Sequence, residues 1–272
     1  MIIDFHHHLL SGENYAENLI REMDRVGIDY TCLSGLGIGH GKEDKTDYSK
    51  FSLGSLSPDN GDVLEVIRKY PDRLIGLGVV NLDRDTPDTV NELLDKGFKA
   101  LKITRPRRPY NADEYMPIYE RAQELNASIL FHTGMILTTC FDAEDDACSD
   151  RMRPMLLDRV ARRFPRLRIV VAHMGYPWFD EATTMARYHK NVYVDFTGSE
   201  YGWRNRFNPS DFQRLMFWKD AYDKVVFGTD TGIGEIDGAL RDQKQLFDLL
   251  NLGEETQRKI FSENAKFLLN MK

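Results

Sequence analysis

The residues with the greatest chemical reach stand in IIDFHHHL, residues 2–9, where three histidines follow one acidic residue. The apolar run at its start predicts a short strand over Ile2–His8, bounded by Ser11 and Gly12. Side chains on a strand alternate faces, so Asp4, His6 and His8 are expected on one side and Ile3, Phe5 and His7 on the other. Two imidazoles two positions apart can converge on one cation, which leaves His7 as the odd one out. His-x-His alone is not specific, and the reading depends on further ligands at matching places.

Four more histidines occur: His40, His132, His173 and His189. His132 closes the apolar run SILFHTG, His173 closes RIVVAHMG, and Asp230 closes VVFGTD. A lone histidine at a strand end is more often a hydrogen-bonded core residue than a ligand. Several at once, together with a carboxylate, make a metal site the better reading. Neutral imidazoles and a carboxylate suit zinc, with Zn–N near 2.0–2.1 Å and a position left open for water.

These residues need a scaffold that gathers distant strand ends. Strands are expected at Ile2–His8, Tyr30–Ser34, Leu74–Asn81, Ala100–Thr104, Ser128–Gly134, Arg168–Gly175, Val192–Gly198 and Val225–Asp230. Amphipathic helical patterns cover Asn14–Val26, Asp62–Lys69, Thr86–Lys96, Asp113–Leu125, Arg153–Phe164, Asp237–Leu250 and Glu254–Met271. Alternating strands and helices of this number predict an α/β fold, a (β/α)₈ TIM barrel, over residues 1–272 as a single domain. An open doubly wound sheet is the rival, but no Gly-x-Gly-x-x-Gly follows the first strand. On a barrel, His6, His8, His132, His173 and Asp230 all fall at C-terminal strand ends, where barrel enzymes assemble their active sites. Alternation pairs Leu130 with His132, Val171 with His173 and Gly228 with Asp230 as inward neighbours. Two long connections, at about residues 35–61 and 135–151, leave the same face and are expected to shape a substrate site.

Bulk properties narrow the class. A net charge of −7 argues against a nucleic-acid surface. No apolar run reaches the ~18–20 residues of a membrane span, and no secretory leader is visible. Cys32, Cys140 and Cys148 form no metal spacing and fit a reducing, cytoplasmic setting. The oligomeric state is left open, with a homo-oligomer compatible.

A series of segments in order then carries a resemblance. IIDFHHHL and GFKALKIT, followed by the five motifs ILFHTG, RFPRLRIVVAHMG, NVYVDFTG, VVFGTD and the closing IFSENAKFLL, resemble the amidohydrolase superfamily across nearly the whole chain. The similarity is greatest to its amidohydrolase-2 branch, which includes aminocarboxymuconate-semialdehyde decarboxylase and related metal-dependent hydrolases. The resemblance implies His6, His8, His132 and Asp230 as ligands of one divalent metal, Zn²⁺ first and Mn²⁺ second. It implies His173 as the catalytic histidine, with Asp230 also able to take a proton from water. Such an ion lowers the pKa of water from ~15.7 toward ~7.

Lys102 shares its strand face with Ala100 and Thr104, so it is expected to point inward. Other branches of the superfamily carry a carbamylated, metal-bridging lysine near this place; the alternative is an ammonium paired with Asp4 or another carboxylate. Arg105, Arg107 and Arg108 follow the fourth strand, Trp203, Arg204 and Arg206 follow the seventh, and Trp178 follows His173. Arg105, Trp178 and Arg204 are the substrate-contact candidates, and the arginine forks suit an anionic small molecule. Asn264 is expected to tie down the C-terminal helix. The leading expectation is a hydrolase attacking an amide or lactone carbonyl. A metal-dependent non-oxidative decarboxylase of an aromatic or unsaturated acid is the runner-up, and a non-catalytic metal- or metabolite-binding barrel is a third reading.

Overall fold

A computed structural model describes residues 1–37, 58–138, 142–143, 145–198, 203 and 206–272. Most of the first long connection, with His40, therefore lies outside the described residues, as do Cys140 and Arg204. Eight parallel strands run in the order β1 to β8: Ile3–His8, Tyr30–Ser34, Leu74–Val80, Ala100–Ile103, Ser128–Phe131, Ile169–Val171, Val192–Asp195 and Val225–Val226. The edges meet: Phe5 N–H donates to the Phe227 carbonyl at 2.9 Å, and Asp230 N–H donates to that of His6 at 2.8 Å. This is a TIM barrel.

Helices α1 (Tyr15–Val26), α2 (Asn60–Lys69), α3 (Pro87–Lys96), α4 (Met116–Glu124), α5 (Asp158–Arg163), α6 (Phe179–Tyr188), α7 (Pro209–Leu215) and α8 (Ile236–Leu249) follow the strands in turn. The sequence pattern expects a helix after every strand but gives no range for α6 or α7. α9 (Glu254–Arg258), a π turn and α10 (Asn264–Leu269) complete the chain. The Asn264 amide donates to the carbonyls of Asp223 and Val225, 3.0 and 2.7 Å away, so it ties the C-terminal helix to β8.

The core forms two shells. Ile3, Phe5, Leu77, Ala100, Leu130, Val170 and Val226 pack together with Ala265 and Leu268 of α10. Leu33, Leu101, Ile103, Phe131 and Val171 belong to the shell shared with the surrounding helices. Leu101 and Ile103 are fully buried, and each such side chain contributes roughly 1.5–3 kcal/mol on leaving water. Among the described residues no helix is long and apolar enough to cross a membrane.

Two expectations about strand faces are corrected. β1 contains a bulge: Asp4 pairs with Thr31 but His7 pairs with Leu33, so three steps in β1 match two in β2. One extra residue resets the alternation. Ile3 and Phe5 line the inner shell, and Asp4 joins His7 at Thr229 instead of facing the same way as His6 and His8. On β6 it is Val170 and Ala172, not Val171, that face inward. The strands also end earlier than expected, before His132, His173 and Asp230 are reached.

Candidate metal centre and active site

The β1 bulge lets His6 and His8 both reach the top of the barrel. His6 is fully buried, and its Nδ1 lies 2.9 Å from Asp195 Oδ2. That leaves Nε2 facing the interior, 2.8 Å from Lys102 Nζ and 3.8 Å from Asp230 Oδ1. His8 uses Nδ1 on the Gly35 carbonyl and Ser34 Oγ, both 3.1 Å away, and turns Nε2 toward Asp230 Oδ1 at 3.3 Å. Ligand atoms of His6, His8 and Asp230 all lie within 4.8 Å of one another, a set that can hold a metal ion. Gly228 makes room for it, since a Cβ there would lie 2.8 Å from His6 Cβ and 2.7 Å from Thr197 Cγ2.

His173 and Asp230 reach the site by backbone turns instead of strand alternation. Both adopt left-handed conformations, with φ of 57° and 46°, as does Arg105 at 51°. Such conformations cost a non-glycine residue energy and cluster where the surrounding fold over-determines them. In His173 the turn reverses the direction that Ala172 would otherwise dictate. Its Nδ1 lies 2.7 Å from Thr197 Oγ1, and its Nε2 stands 3.2 Å from His132 Nδ1 and 3.7 Å from Asp230 Oδ2. His132 spends Nε2 on the Met135 carbonyl at 3.3 Å.

The donor set fits a divalent cation. Each outer imidazole nitrogen has an acceptor, so each inner nitrogen presents a lone pair. The inner nitrogens of His132 and His173 are 3.2 Å apart, so one cation between them would meet both. Burial keeps the imidazoles neutral: His173 is lowered to about 4, and His6, His8 and His132 fall well below the usual histidine value. Burial also pushes the Asp230 carboxyl up, opposed by Lys102, and pushes the Lys102 amine down, opposed by Asp230 and Asp195. Asp230 keeps 22% of its side chain accessible against 12% for His8 and 0% for His6, so the open side of the cluster is its side.

His7 is turned away. Its Nδ1 meets Thr229 Oγ1 at 2.9 Å and its Nε2 meets Tyr15 Oη at 3.0 Å, which uses both nitrogens. Asp4 accepts from the Thr229 backbone and hydroxyl at 2.9 and 2.6 Å, so Lys102 is not its partner. Arg105 is buried, and its fork is engaged by Asp142 Oδ1 at 2.8 Å and the Leu137 carbonyl at 2.7 Å, tying it to the connection after β5. Trp178 is half-buried beneath the Arg153 guanidinium, 5.2 Å from its ring centre. Trp203 packs in an aromatic cluster with Phe179, Phe207 and Phe212.

Sequence reasoning missed Asp195 and Thr197, both fully buried and in contact with the histidines. The available signal was the strand NVYVDFTG, an acidic residue closing an apolar run as Asp230 does.

A family model described as an amidohydrolase matches residues 3–271. The chain belongs to the amidohydrolase family. Among solved structures, this amidohydrolase is similar to a TIM-barrel protein of Bordetella bronchiseptica at 20% identity and TM-score 0.70, covering 99% of this chain and 98% of that one. It is also similar to a probable 2-pyrone-4,6-dicarboxylic acid hydrolase of Acinetobacter baumannii, with citric acid bound, at 15% identity and TM-score 0.65, covering 99% of each chain. A third is a dihydroxybenzoic acid decarboxylase of Polaromonas with bound manganese and the inhibitor 2-nitroresorcinol, at 16% identity and TM-score 0.66, covering 99% and 96%. At these identities the structural likeness shows the shared fold.

Proposed function

We propose that this amidohydrolase, as one barrel domain over residues 1–272, is a metal-dependent hydrolase acting on an amide or lactone carbonyl of a small carboxylic-acid derivative. The observation that carries the reading is the convergence of ligand atoms of His6, His8 and Asp230 within 4.8 Å, with the two Nε2 atoms 3.8 and 3.3 Å from Asp230 Oδ1. His6, His8, His132 and Asp230 would hold one divalent ion. Zn²⁺ suits imidazole and carboxylate donors, and Mn²⁺ is the alternative, supported by the manganese in the Polaromonas enzyme. When bound, the ion supplies a Lewis acid that acidifies water and polarises a carbonyl.

The chain's own residues handle the proton and the substrate. Asp230 faces the open side of the cluster, where its carboxylate can take a proton from water. His173 Nε2, 3.7 Å from Asp230 Oδ2, is placed to steady the attacking water or to relay the proton to a leaving group. Arg105 is proposed as a carboxylate clamp, a role in which the substrate replaces the Asp142 carboxylate on its fork; Trp178 and Arg204 are the further contact candidates. A charged hydrogen bond of this kind is worth roughly 1.5–3 kcal/mol. Arg105→Ala is therefore expected to raise KM about tenfold or more for an acidic substrate, with metal content unchanged; an equal KM would remove Arg105 from the site.

The second reading is non-oxidative decarboxylation, favoured by the Polaromonas neighbour's activity on a dihydroxybenzoic acid. The deciding experiment is turnover of the zinc- and manganese-loaded protein on lactones, N-acyl compounds and hydroxylated aromatic acids. Ring opening or amide cleavage supports the hydrolase. Release of CO₂ with no hydrolysis overturns it, and inertness toward all three groups favours a binding barrel.

A further inference from the structure

Asp195 touches both halves of the proposed chemistry while standing outside the proposed ligand set. Its Oδ1 accepts three hydrogen bonds: from the His173 backbone N–H at 2.7 Å, the Thr197 backbone N–H at 3.1 Å and the Thr197 hydroxyl at 2.6 Å. Its Oδ2 faces His6 Nδ1 at 2.9 Å. The Thr197 hydroxyl has given its proton to Asp195, so toward His173 Nδ1, 2.7 Å away, it can only accept. Trp203 Nε1–H donates to the Thr197 carbonyl at 3.1 Å and holds the segment in place. Asp195 and Thr197 are fully buried, so no bulk water substitutes for any of these bonds.

We propose that Asp195, with Thr197 as its relay, is the positioning residue that fixes His6 and His173 together as Nδ1–H tautomers and so aims both Nε2 lone pairs into the site. An independent contact agrees. The Lys102 amine lies 2.8 Å from His6 Nε2, close enough to donate to a lone pair there. The inference rests on the metal-site reading only for what the lone pairs then bind; the tautomers themselves belong to the metal-free chain.

The geometry also states what a one-atom change does. Two of the three donors on Oδ1 are backbone groups that cannot turn away. In Asp195→Asn the amide oxygen must stay with them, which places the NH₂ group against His6 Nδ1. His6 then accepts at Nδ1 and carries its proton on Nε2, the nitrogen that faces Lys102 and Asp230. Partners of this kind typically account for 10–100-fold in metal affinity.

The test is long-range ¹H–¹⁵N correlation spectroscopy of the metal-free protein labelled with ¹⁵N-histidine, with signals assigned by single-histidine replacements. Wild type is expected to show both His6 and His173 as Nδ1–H. Asp195→Asn is expected to switch His6 to Nε2–H, to leave His173 unchanged, and to weaken Zn²⁺ about 10–100-fold in chelator competition. Thr197→Val should disturb the His173 pattern alone, and Thr197→Ser should restore it. An Nε2–H His6 in wild type, or an unswitched His6 in Asp195→Asn, overturns the proposal. If Asp195→Asn does not fold, the wild-type spectrum and the Thr197 pair still decide it. If the tautomers behave as expected while Zn²⁺ binds neither protein, the positioning role stands and the metal-site reading fails.

Discussion

Lys102 Nζ lies 2.8 Å from His6 Nε2, against the nitrogen that faces Asp230 across 3.8 Å. A fully buried amine thus shares the proposed coordination face. A lone ammonium there repels a dication, whereas a carbamylated lysine would bridge two. Lys102→Met separates the two cases. With a single ion, the variant keeps about one metal per chain and binds it several-fold more tightly. With a bridge, stoichiometry by elemental analysis falls from two to one, and wild type shows a carbamate carbon after incubation with ¹³C-bicarbonate.

The proposed ligands and their neighbour in sequence should part company. His6→Ala and Asp230→Asn are expected to lose most bound metal, because one removes a nitrogen donor and the other the carboxylate charge from a set within 4.8 Å. His7→Ala is expected to bind metal normally, since Thr229 and Tyr15 occupy both of its nitrogens. Full occupancy in both of the first two variants, measured by plasma emission, would sink the ligand assignment.

His173 is expected to act on protons. His173→Ala should retain the ion and lose at least ~10²-fold in kcat, a usual contribution of a general acid or base. Loss of the metal along with activity would make His173 a ligand, a result its 3.2 Å approach to His132 Nδ1 makes worth checking.

Acid should destabilise the metal-free protein. His7 and His173 are lowered to about 4 by burial, and His6, His8 and His132 well below the ordinary value. Each takes a proton near ~6.5 once unfolded. Their contribution to stability is complete above that pH and is lost as pH falls toward the folded values. Asp4, raised to about 7 by burial, and Asp230, raised likewise, run the opposite way. They favour the fold at low pH and lose that advantage as pH rises to neutral. With five histidines against two carboxylates, the unfolded chain binds up to about three more protons between about pH 4.5 and 6.5. Urea midpoints measured in chelator should therefore fall steadily from pH 7 to 4.5. A flat profile would mean that the histidines are not buried as neutral groups.

Much of the architecture could be read from residue order. Strand after strand of buried apolar residues alternating with amphipathic helices leaves few topologies, and crossover handedness selects among them. IIDFHHHL, SILFHTG, RIVVAHMG and VVFGTD also marked which strand ends carry imidazoles and carboxylates, because residue type is explicit in sequence. Direction was not explicit. Period-two reasoning placed Asp4 with His6 and paired Val171 with His173, and both inferences fail for local backbone reasons. A one-residue bulge in β1 resets the faces, and a left-handed turn at His173 re-aims a side chain that the strand would point outward. Neither feature has a composition of its own, since His173 and Asp230 adopt conformations that only the packed barrel sustains. Asp195 and Thr197 were hidden for a related reason. Their importance lies in hydrogen bonds to His6, 189 positions from Asp195 in the chain, and to His173, 24 from Thr197. Sequence determined which groups are present and on which strands. Only closure of the barrel decided which nitrogen of each histidine is spent on the protein and which is left for chemistry.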